Sequence, residues 1–220
     1  MIIKNYKNVV SSEILDTLIQ FFETNTHLYK DTMGMLKISN PWQHVQEILD
    51  PLLSQYFDTS SNLGDNFYKH SFPYFPHIDS FGNKNSYNVL IPLKLSHPVN
   101  QKFIIFDQYC TDYSGATWLG NIWKPEGNFE ANKKREFPYK DIDVVGCTDS
   151  PVDPDLYKDL HYDYRNEEMF FGLTGTAYDY TPGNILLFPS NSIHCTGKMD
   201  CDWKMGLSLR FEILDTTTLL

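Results

Sequence analysis

The sequence is poor in cysteine, has no long apolar run and has no dense cluster of basic residues. Its four cysteines, Cys110, Cys147, Cys195 and Cys201, form no C-x-x-C pair, which argues against a zinc knuckle or a dithiol redox motif and predicts free thiols. No apolar segment approaches the roughly 20 residues that span a bilayer, and the first residues lack the apolar core of a secretory signal. We therefore expect a cytoplasmic protein with no membrane partner.

Positive charge is also scarce in this chain. Its 18 lysines and arginines stand against 28 aspartates and glutamates, which gives a formal net charge of −10. A protein that binds the phosphate backbone of a duplex needs a basic surface, so double-stranded nucleic acid is not an expected partner. Small molecules or protein side chains are the expected substrates or ligands.

What the sequence does contain indicates one globular domain. A length of 220 residues permits a single domain with a substantial core, and the aromatic share of 15% favours β structure. Apolar residues recur at the spacing of one helical face in SSEILDTLIQFFETN, where a serine can cap the helix. A second helix is predicted in NPWQHVQEILDPLLSQYF, with Asn40 as its cap, Pro41 in its first turn and Pro51 at its end or at a kink. We predict a domain over 1–220 with a helical N-terminal part at 1–60.

From about Asn66 the pattern changes to short runs rich in aromatic and β-branched residues, separated by turn residues. The candidate strands are NFYKHSFPYF, YNVLIPLKL, KFIIFDQY, DIDVVGC, GNILLFP and KMGLSLRFEIL. Helices followed by many short strands indicate an antiparallel sandwich or barrel with helices along one side. The segment at about 110–171 is longer, more polar and less periodic, and its aromatic residues predict an ordered insertion across one face of the sheet.

Metal-ligand side chains stand at two positions of this β region. His77 and Asp79 are two residues apart, so in a strand they point to the same face with α-carbons roughly 6–7 Å apart. Two histidines and one carboxylate suit non-haem Fe(II), because they leave coordination positions open. His194, which follows the strand-like NILLF, is the expected second histidine.

Other histidines fit this site less well. His161 and Asp163 repeat the spacing of His77 and Asp79, but their sequence is typical of a polar loop or helix. In addition, only 33 residues separate His161 from His194. This leaves little room for the four or so strands that lie between the ligand-bearing strands of a jelly roll. The remaining histidines are assigned structural or surface roles: His27, His44, His70 and His97.

The last predicted strand has a cationic face. Residues 204, 206, 208 and 210 point to one side by two-residue alternation, which gives that side Lys204 and Arg210. Two cations that face one interior need an anion, which arginine would bind bidentately and lysine as a point charge.

The chain resembles the Fe(II)/2-oxoglutarate-dependent dioxygenases, in particular their prolyl-hydroxylase-like branch. Three stretches carry the resemblance: PHID followed by YNVLIPL, then PGNILLFPSNSIH, and finally WKMGLSLRFEI. The resemblance covers about 66–214. It implies a mainly β fold with flanking α-helices, namely a double-stranded β-helix (jelly roll, cupin-like) supported by the N-terminal helices. It also implies that His77, Asp79 and His194 bind Fe(II).

The resemblance further implies a site for the cosubstrate 2-oxoglutarate. Much of the family has Arg-x-Ser where this chain has Lys-Met-Gly, and Lys204 is favoured as the anchor of the distal carboxylate. Arg210 is a second contact or a structural cation, and Tyr68, nine residues before His77, is expected to help hold the cosubstrate. The implied reaction uses O₂ to hydroxylate a C–H bond and releases succinate and CO₂. The alternatives are a cupin-type metalloenzyme without 2-oxoglutarate and a non-catalytic β-sandwich binding protein.

Overall fold

A computed structural model describes residues 2–32, 35–74, 76–79, 86–110, 117–118, 144–160, 170 and 172–213. Within these ranges the helices are α1 (Ser12–Thr24), α2 (Trp42–Leu53) and α3 (Pro154–Asp159). The strands are β1 (Lys4–Tyr6), β2 (Lys30–Thr32), β3 (Met35–Ser39), β4 (Phe57–Asp58), β5 (Gly64–His70), β6 (His77–Ile78), β7 (Ser86–Leu95), β8 (Lys102–Cys110), β9 (Thr117–Trp118), β10 (Val144–Val145), β11 (Gly175–Asp179), β12 (Ile185–Pro189), β13 (Ser192–Thr196) and β14 (Lys204–Ile213). Most of the insertion predicted at about 110–171 lies outside the described residues.

The strands form two antiparallel sheets. The larger sheet has the order β1-β12-β7-β14-β5-β3-β2, with β4 paired to β14, and the smaller has the order β10-β8-β13-β6-β9, with β11 paired to β8. The two sheets pack face to face, since Leu90 and Phe188 of the larger sheet share a buried cluster with Phe103 and Ile105 of the smaller. Sequence neighbours such as β12 and β13 lie in different sheets, which is the arrangement of a jelly roll. The mainly β prediction is therefore confirmed.

Both predicted N-terminal helices cover the outer face of the larger sheet. Leu18 of α1 and Leu49 of α2 are fully buried in one cluster with Phe67 and Leu207 from the sheet. Ser11 caps α1, because its hydroxyl accepts a hydrogen bond from the Ile14 amide. Within the described residues, no helix is long and apolar enough to cross a membrane. The first 60 residues also supply β1 to β4, so this part of the chain is less helical than the sequence predicts.

The start of α2 differs from its prediction. Asn40 has a positive φ of 54° and lies outside the helix, which begins at Trp42. The Trp42 amide instead donates a hydrogen bond to the carboxylate of Asp65, a buried residue of β5. A long-range partner therefore caps α2 and ties it to the sheet. Pro51 lies inside the last turn, and the helix ends two residues later at Leu53.

Candidate active site

Strand pairing in the smaller sheet brings His77 and His194 together. The two residues are directly opposite each other in the β6–β13 ladder, and their ring centroids are 4.1 Å apart. Asp79 follows β6, and its amide donates to the Ser190 carbonyl just before β13, at 3.1 Å. His194 is the central residue of β13.

These three side chains converge on one point. His194 Nε2 is 3.3 Å from Asp79 Oδ2, and His77 Nε2 is 3.7 Å from Asp79 Oδ1. One ligand atom from each of the three residues lies within 4.8 Å of the others, which is close enough to hold one metal ion. Two imidazoles with one carboxylate form the donor set of non-haem Fe(II) sites with open coordination positions.

The tautomer of His194 supports a cation at this point. Its Nδ1 lies 2.9 Å from the Ser192 carbonyl, which can only accept, so Nδ1 carries the ring proton in the neutral imidazole. The Nε2 lone pair then faces a carboxylate oxygen at 3.3 Å. Two acceptors this close require a proton or a metal ion between them, so the residues present fit a metal. Hydrogen bonding at the other ring nitrogen is also the usual way in which a protein orients a metal-binding histidine.

Asp79 is ionised and also contacts two polar side chains of the larger sheet. Asn88 Nδ2 donates to Asp79 Oδ2 at 3.2 Å, and an Arg210 guanidinium nitrogen lies 3.8 Å from the same oxygen. Arg210 Nε in turn donates to the Asn88 side-chain carbonyl at 3.1 Å. Burial alone would raise the pKa of Asp79, but His194, His77 and Arg210 outweigh it and hold this pKa well below the usual range.

Lys204 is a buried cation at the other end of the site. It is 1% exposed, its Nζ donates to Thr196 Oγ1 at 3.1 Å, and Nζ lies 4.4 Å from the centre of the Tyr180 ring. Burial lowers its pKa to about 7, while the free thiols of Cys201 and Cys195 act in the opposite direction. The described residues place no carboxylate within ion-pair distance of Nζ, so this buried ammonium is suited to an anionic ligand.

Tyr68 and Tyr180 meet above Gly206. Their hydroxyl oxygens are 3.0 Å apart, and the Tyr180 hydroxyl donates to the Met205 carbonyl at 2.9 Å. The single Tyr180 proton is thereby used, so Tyr68 is the donor between the two hydroxyls. A Cβ at residue 206 would collide with both tyrosine side chains. The glycine that replaces the serine of the Arg-x-Ser pattern therefore leaves room for two tyrosine hydroxyls.

We expect Gly206→Ala to destabilise the protein by about 1–3 kcal/mol, the usual cost of overpacking a filled interior. The added methyl group would have to displace the Tyr68 and Tyr180 side chains. Urea unfolding of the variant measures the change in the free energy of unfolding, with Ser208→Ala on the same strand face as a matched control. Equal stability of Gly206→Ala and the wild type would show that the two hydroxyls do not occupy this space.

A cavity of about 280 Å³ lies between the two sheets and joins these features. All six residues predicted from the sequence line it: Tyr68, His77, Asp79, His194, Lys204 and Arg210. The alternative pair, His161 and Asp163, lies outside the described residues.

The sequence prediction missed several residues of this cavity. His70 was assigned a structural or surface role, but it is buried in the wall, where burial and the nearby Lys204 lower its pKa to about 3. Thr196, Tyr74 and Lys37 also line the cavity. Two-residue alternation from Tyr68 and from His194 would have identified His70 and Thr196, respectively.

Comparison with known proteins identifies the fold. No protein-family model matches the chain, and no curated protein matches it. Among solved structures, the non-haem α-ketoglutarate-dependent carbocyclase SnoK from nogalamycin biosynthesis has a TM-score of 0.54 at 12% identity, over 96% of this chain and 79% of SnoK. EvdO2 from Micromonospora carbonacea var. aurantiaca has a TM-score of 0.50 at 14% identity, over 97% of this chain and 89% of EvdO2.

A third similar structure is HygX from Streptomyces hygroscopicus, solved with nickel and 2-oxoglutarate bound. Its TM-score is 0.50 at 11% identity, over 96% of this chain and 82% of HygX. At these identities the similarity concerns the fold and not the reaction. The chain therefore has the double-stranded β-helix fold of the Fe(II)/2-oxoglutarate-dependent oxygenases.

Proposed function

We propose that this protein is an Fe(II)- and 2-oxoglutarate-dependent dioxygenase that hydroxylates a C–H bond of a small-molecule or protein side-chain substrate. One observation carries the proposal. Two imidazole nitrogens and a carboxylate converge in a cavity that also contains a buried lysine without a carboxylate partner among the described residues. The structurally similar EvdO2 has been solved with 2-oxoglutarate, and the epimerase SnoN, with a TM-score of 0.51, with Fe³⁺ and α-ketoglutarate.

His77, His194 and Asp79 are the residues that would hold the iron. When bound, iron and 2-oxoglutarate supply an O₂-derived oxidant strong enough to attack a C–H bond, with succinate and CO₂ as co-products. Arg210 and Asn88 keep the Asp79 carboxylate ionised and oriented.

Lys204 is the proposed partner of the distal carboxylate of 2-oxoglutarate. The ammonium group of Lys204 donates to Thr196, which is two residues from His194 on β13. The side chains of Thr196 and His194 therefore share a face, with α-carbons roughly 6–7 Å apart. This separation suits a five-carbon dicarboxylate that reaches from the metal to Lys204. Tyr180 positions the ammonium group through its ring. Arg210 is already engaged with Asn88 and Asp79, which favours Lys204 over Arg210 as the anchor.

Two apolar side chains pack against His194 at the proposed metal end of the cavity. The Phe188 and Phe103 ring centroids lie 4.8 Å and 5.6 Å from that of His194. Low polarity around the side chains that would hold the iron strengthens their electrostatic interactions and limits side reactions.

The proposal is tested by incubating the purified protein with Fe(II), 2-oxoglutarate and O₂ and measuring succinate. Slow succinate formation that requires all three components is expected even without the primary substrate. Lys204→Met is the matched variant, because it retains the three proposed metal ligands and should lose most of this activity at low 2-oxoglutarate concentration. Iron that binds without any consumption of 2-oxoglutarate would favour the cupin-type alternative, and a protein that binds no metal would favour the non-catalytic one.

The affinity for 2-oxoglutarate should fall as pH rises above about 7. Burial lowers the pKa of Lys204 to about 7 in the free protein, and a bound carboxylate would raise it. Above pH 7, binding must therefore take up a proton, and the dissociation constant should rise by up to about tenfold per pH unit. Calorimetric titration from about pH 6 to about pH 9 measures this change of the dissociation constant with pH. In Lys204→Arg the dissociation constant should change less with pH, since arginine stays charged. An equal change in both proteins would contradict Lys204 as the partner of the distal carboxylate.

A further inference from the structure

A second lysine of the cavity has no role in the proposed binding of iron and 2-oxoglutarate. Lys37 of β3 lines the cavity and is half-buried, and within the described residues it forms no hydrogen bond or ion pair. Burial lowers its pKa, partly offset by the Asp79 carboxylate. A partly desolvated ammonium group that faces a cavity is costly unless an anion compensates for it.

Two neutral polar side chains lie beside Lys37. Asn66 of β5 and Ser208 of β14 are directly opposite each other in the β5–β14 ladder, and both line the cavity. Lys37 is opposite Tyr68, so Asn66 is its diagonal neighbour on the same face, within reach of a long side chain. Neither the Asn66 nor the Ser208 side chain has a hydrogen-bond partner in the described part of the chain. One ammonium, one amide and one hydroxyl are thus available to a single ligand.

This group is separate from the proposed 2-oxoglutarate anchor. Neighbouring strands are about 4.8 Å apart, so β3 lies roughly 10 Å from β14, with Tyr68 of β5 between them. The ammonium group of Lys204 contacts Thr196 of the smaller sheet and the Tyr180 ring. One carboxylate is therefore not expected to neutralise both lysines.

The charges of the site leave Lys37 unbalanced. Among the described residues, its lining contains three cationic side chains, Lys37, Lys204 and Arg210, but one carboxylate, Asp79, while Asp65 lies outside the lining and interacts with Arg210. With Fe(II) and the 2-oxoglutarate dianion bound, the metal and the three cationic side chains would carry five positive charges, against four negative charges on the dianion, Asp79 and Asp65. The cavity is thus cationic in a chain whose formal net charge is −10.

The neighbouring strand increases this local excess of positive charge. Lys30 of β2 is directly opposite Lys37 in the β2–β3 ladder and is exposed. Like charges at opposite positions of an antiparallel pair are destabilising. A bound anion would relieve this repulsion.

We propose that Lys37, with Asn66 and Ser208, binds an oxyanion of the primary substrate, so that the substrate is an anionic small molecule bearing a carboxylate or a phosphate. This inference rests on the proposed dioxygenase function and specifies the class of its substrate. Lys37 would supply the charge, and the Asn66 amide and Ser208 hydroxyl would donate the remaining hydrogen bonds.

The test uses three probes that differ in charge. The full chain is loaded without oxygen with Fe(II) and saturating 2-oxoglutarate, and the melting temperature is followed while hexanoate, hexanamide or inorganic phosphate is added. We expect hexanoate or phosphate to bind at least about tenfold more tightly than hexanamide, as a charge-assisted hydrogen bond predicts. The preference for hexanoate identifies a carboxylate as the bound group, and the preference for phosphate identifies a phosphate.

Lys37→Met should abolish this preference for anions, and Lys37→Arg should retain most of it. Lys69→Met is the matched control, because Lys69 lies on the opposite face of the same sheet, over the Trp203 ring. The affinity of each variant for 2-oxoglutarate should stay within about twofold of the wild type, since Lys204 is unchanged; the absorption of the Fe(II)–2-oxoglutarate complex reports it.

The outcomes separate the two proposals. If the wild type does not bind 2-oxoglutarate with Fe(II), the proposed function fails. If it does, but anionic probes bind no better than hexanamide or bind equally well to Lys37→Met, the substrate inference fails alone. A large loss of 2-oxoglutarate affinity in Lys37→Met would also overturn the inference, because Lys37 would then serve the cosubstrate.

Discussion

Lys204→Met is expected to weaken 2-oxoglutarate binding by roughly 100-fold. Loss of one partner of a buried, hydrogen-bonded charge pair costs about 2–5 kcal/mol, and each 1.4 kcal/mol is about tenfold in affinity. The ligand-free protein should not lose stability, because methionine fills a similar volume without burying an unpaired charge. Calorimetric titration of 2-oxoglutarate and urea unfolding measure the two quantities.

The control for this substitution is Arg210→Met, since both cations line the cavity. Arg210 contacts Asp79 and Asn88, so its loss should act mainly on the proposed metal-binding carboxylate and weaken iron binding. Lys204→Met should therefore lose mainly affinity for 2-oxoglutarate, and Arg210→Met should lose mainly affinity for iron. Normal 2-oxoglutarate affinity in Lys204→Met, with a large loss in Arg210→Met, would move the anchor to Arg210.

Asp79→Ala should reduce iron affinity by more than about 100-fold, beyond the 10–100-fold loss typical for residues that only support a metal ligand. The substitution removes the proposed anionic ligand and leaves Arg210, which is 7% exposed, beside two imidazoles. Metal analysis after loading with Fe(II) without oxygen should give about one iron per chain in the wild type and almost none in the variant.

His70→Gln is the matched control for this loss. His70 is a buried histidine of the same cavity, but its Nδ1 binds the Phe72 carbonyl and it is not part of the convergent group. Iron content should therefore be unchanged in His70→Gln. Retention of iron by Asp79→Ala, with loss in His70→Gln, would place the metal elsewhere.

The features predicted correctly from the sequence depend on local periodicity. His77 and Asp79 stand next to a strand-like run, and His194 follows a second one, so the order of strands in a jelly roll was enough to bring them together. The facing direction of Lys204 and Arg210 follows from two-residue alternation, and both line the cavity as expected. The apolar stripe of α1 likewise predicted the face that is buried against the sheet.

The features that were missed depend on contacts between distant residues. Asp65 caps α2 from 23 positions away, and no local signal relates it to Trp42. Tyr180 reaches Tyr68 across 112 positions. The strand β3 is too short for its alternation to stand out from a loop, so Lys37 could not be assigned to the cavity before the sheet was seen.

The central claim is that His77, Asp79 and His194 bind Fe(II) beside 2-oxoglutarate. The most direct measurement is an anaerobic titration of the protein with Fe(II) and 2-oxoglutarate, followed by the weak visible charge-transfer band of the iron chelate. We predict a band that saturates at about one iron per chain in the wild type and is absent in His77→Ala. A band of equal intensity in His77→Ala, or no band in the folded wild-type protein, would contradict the claim.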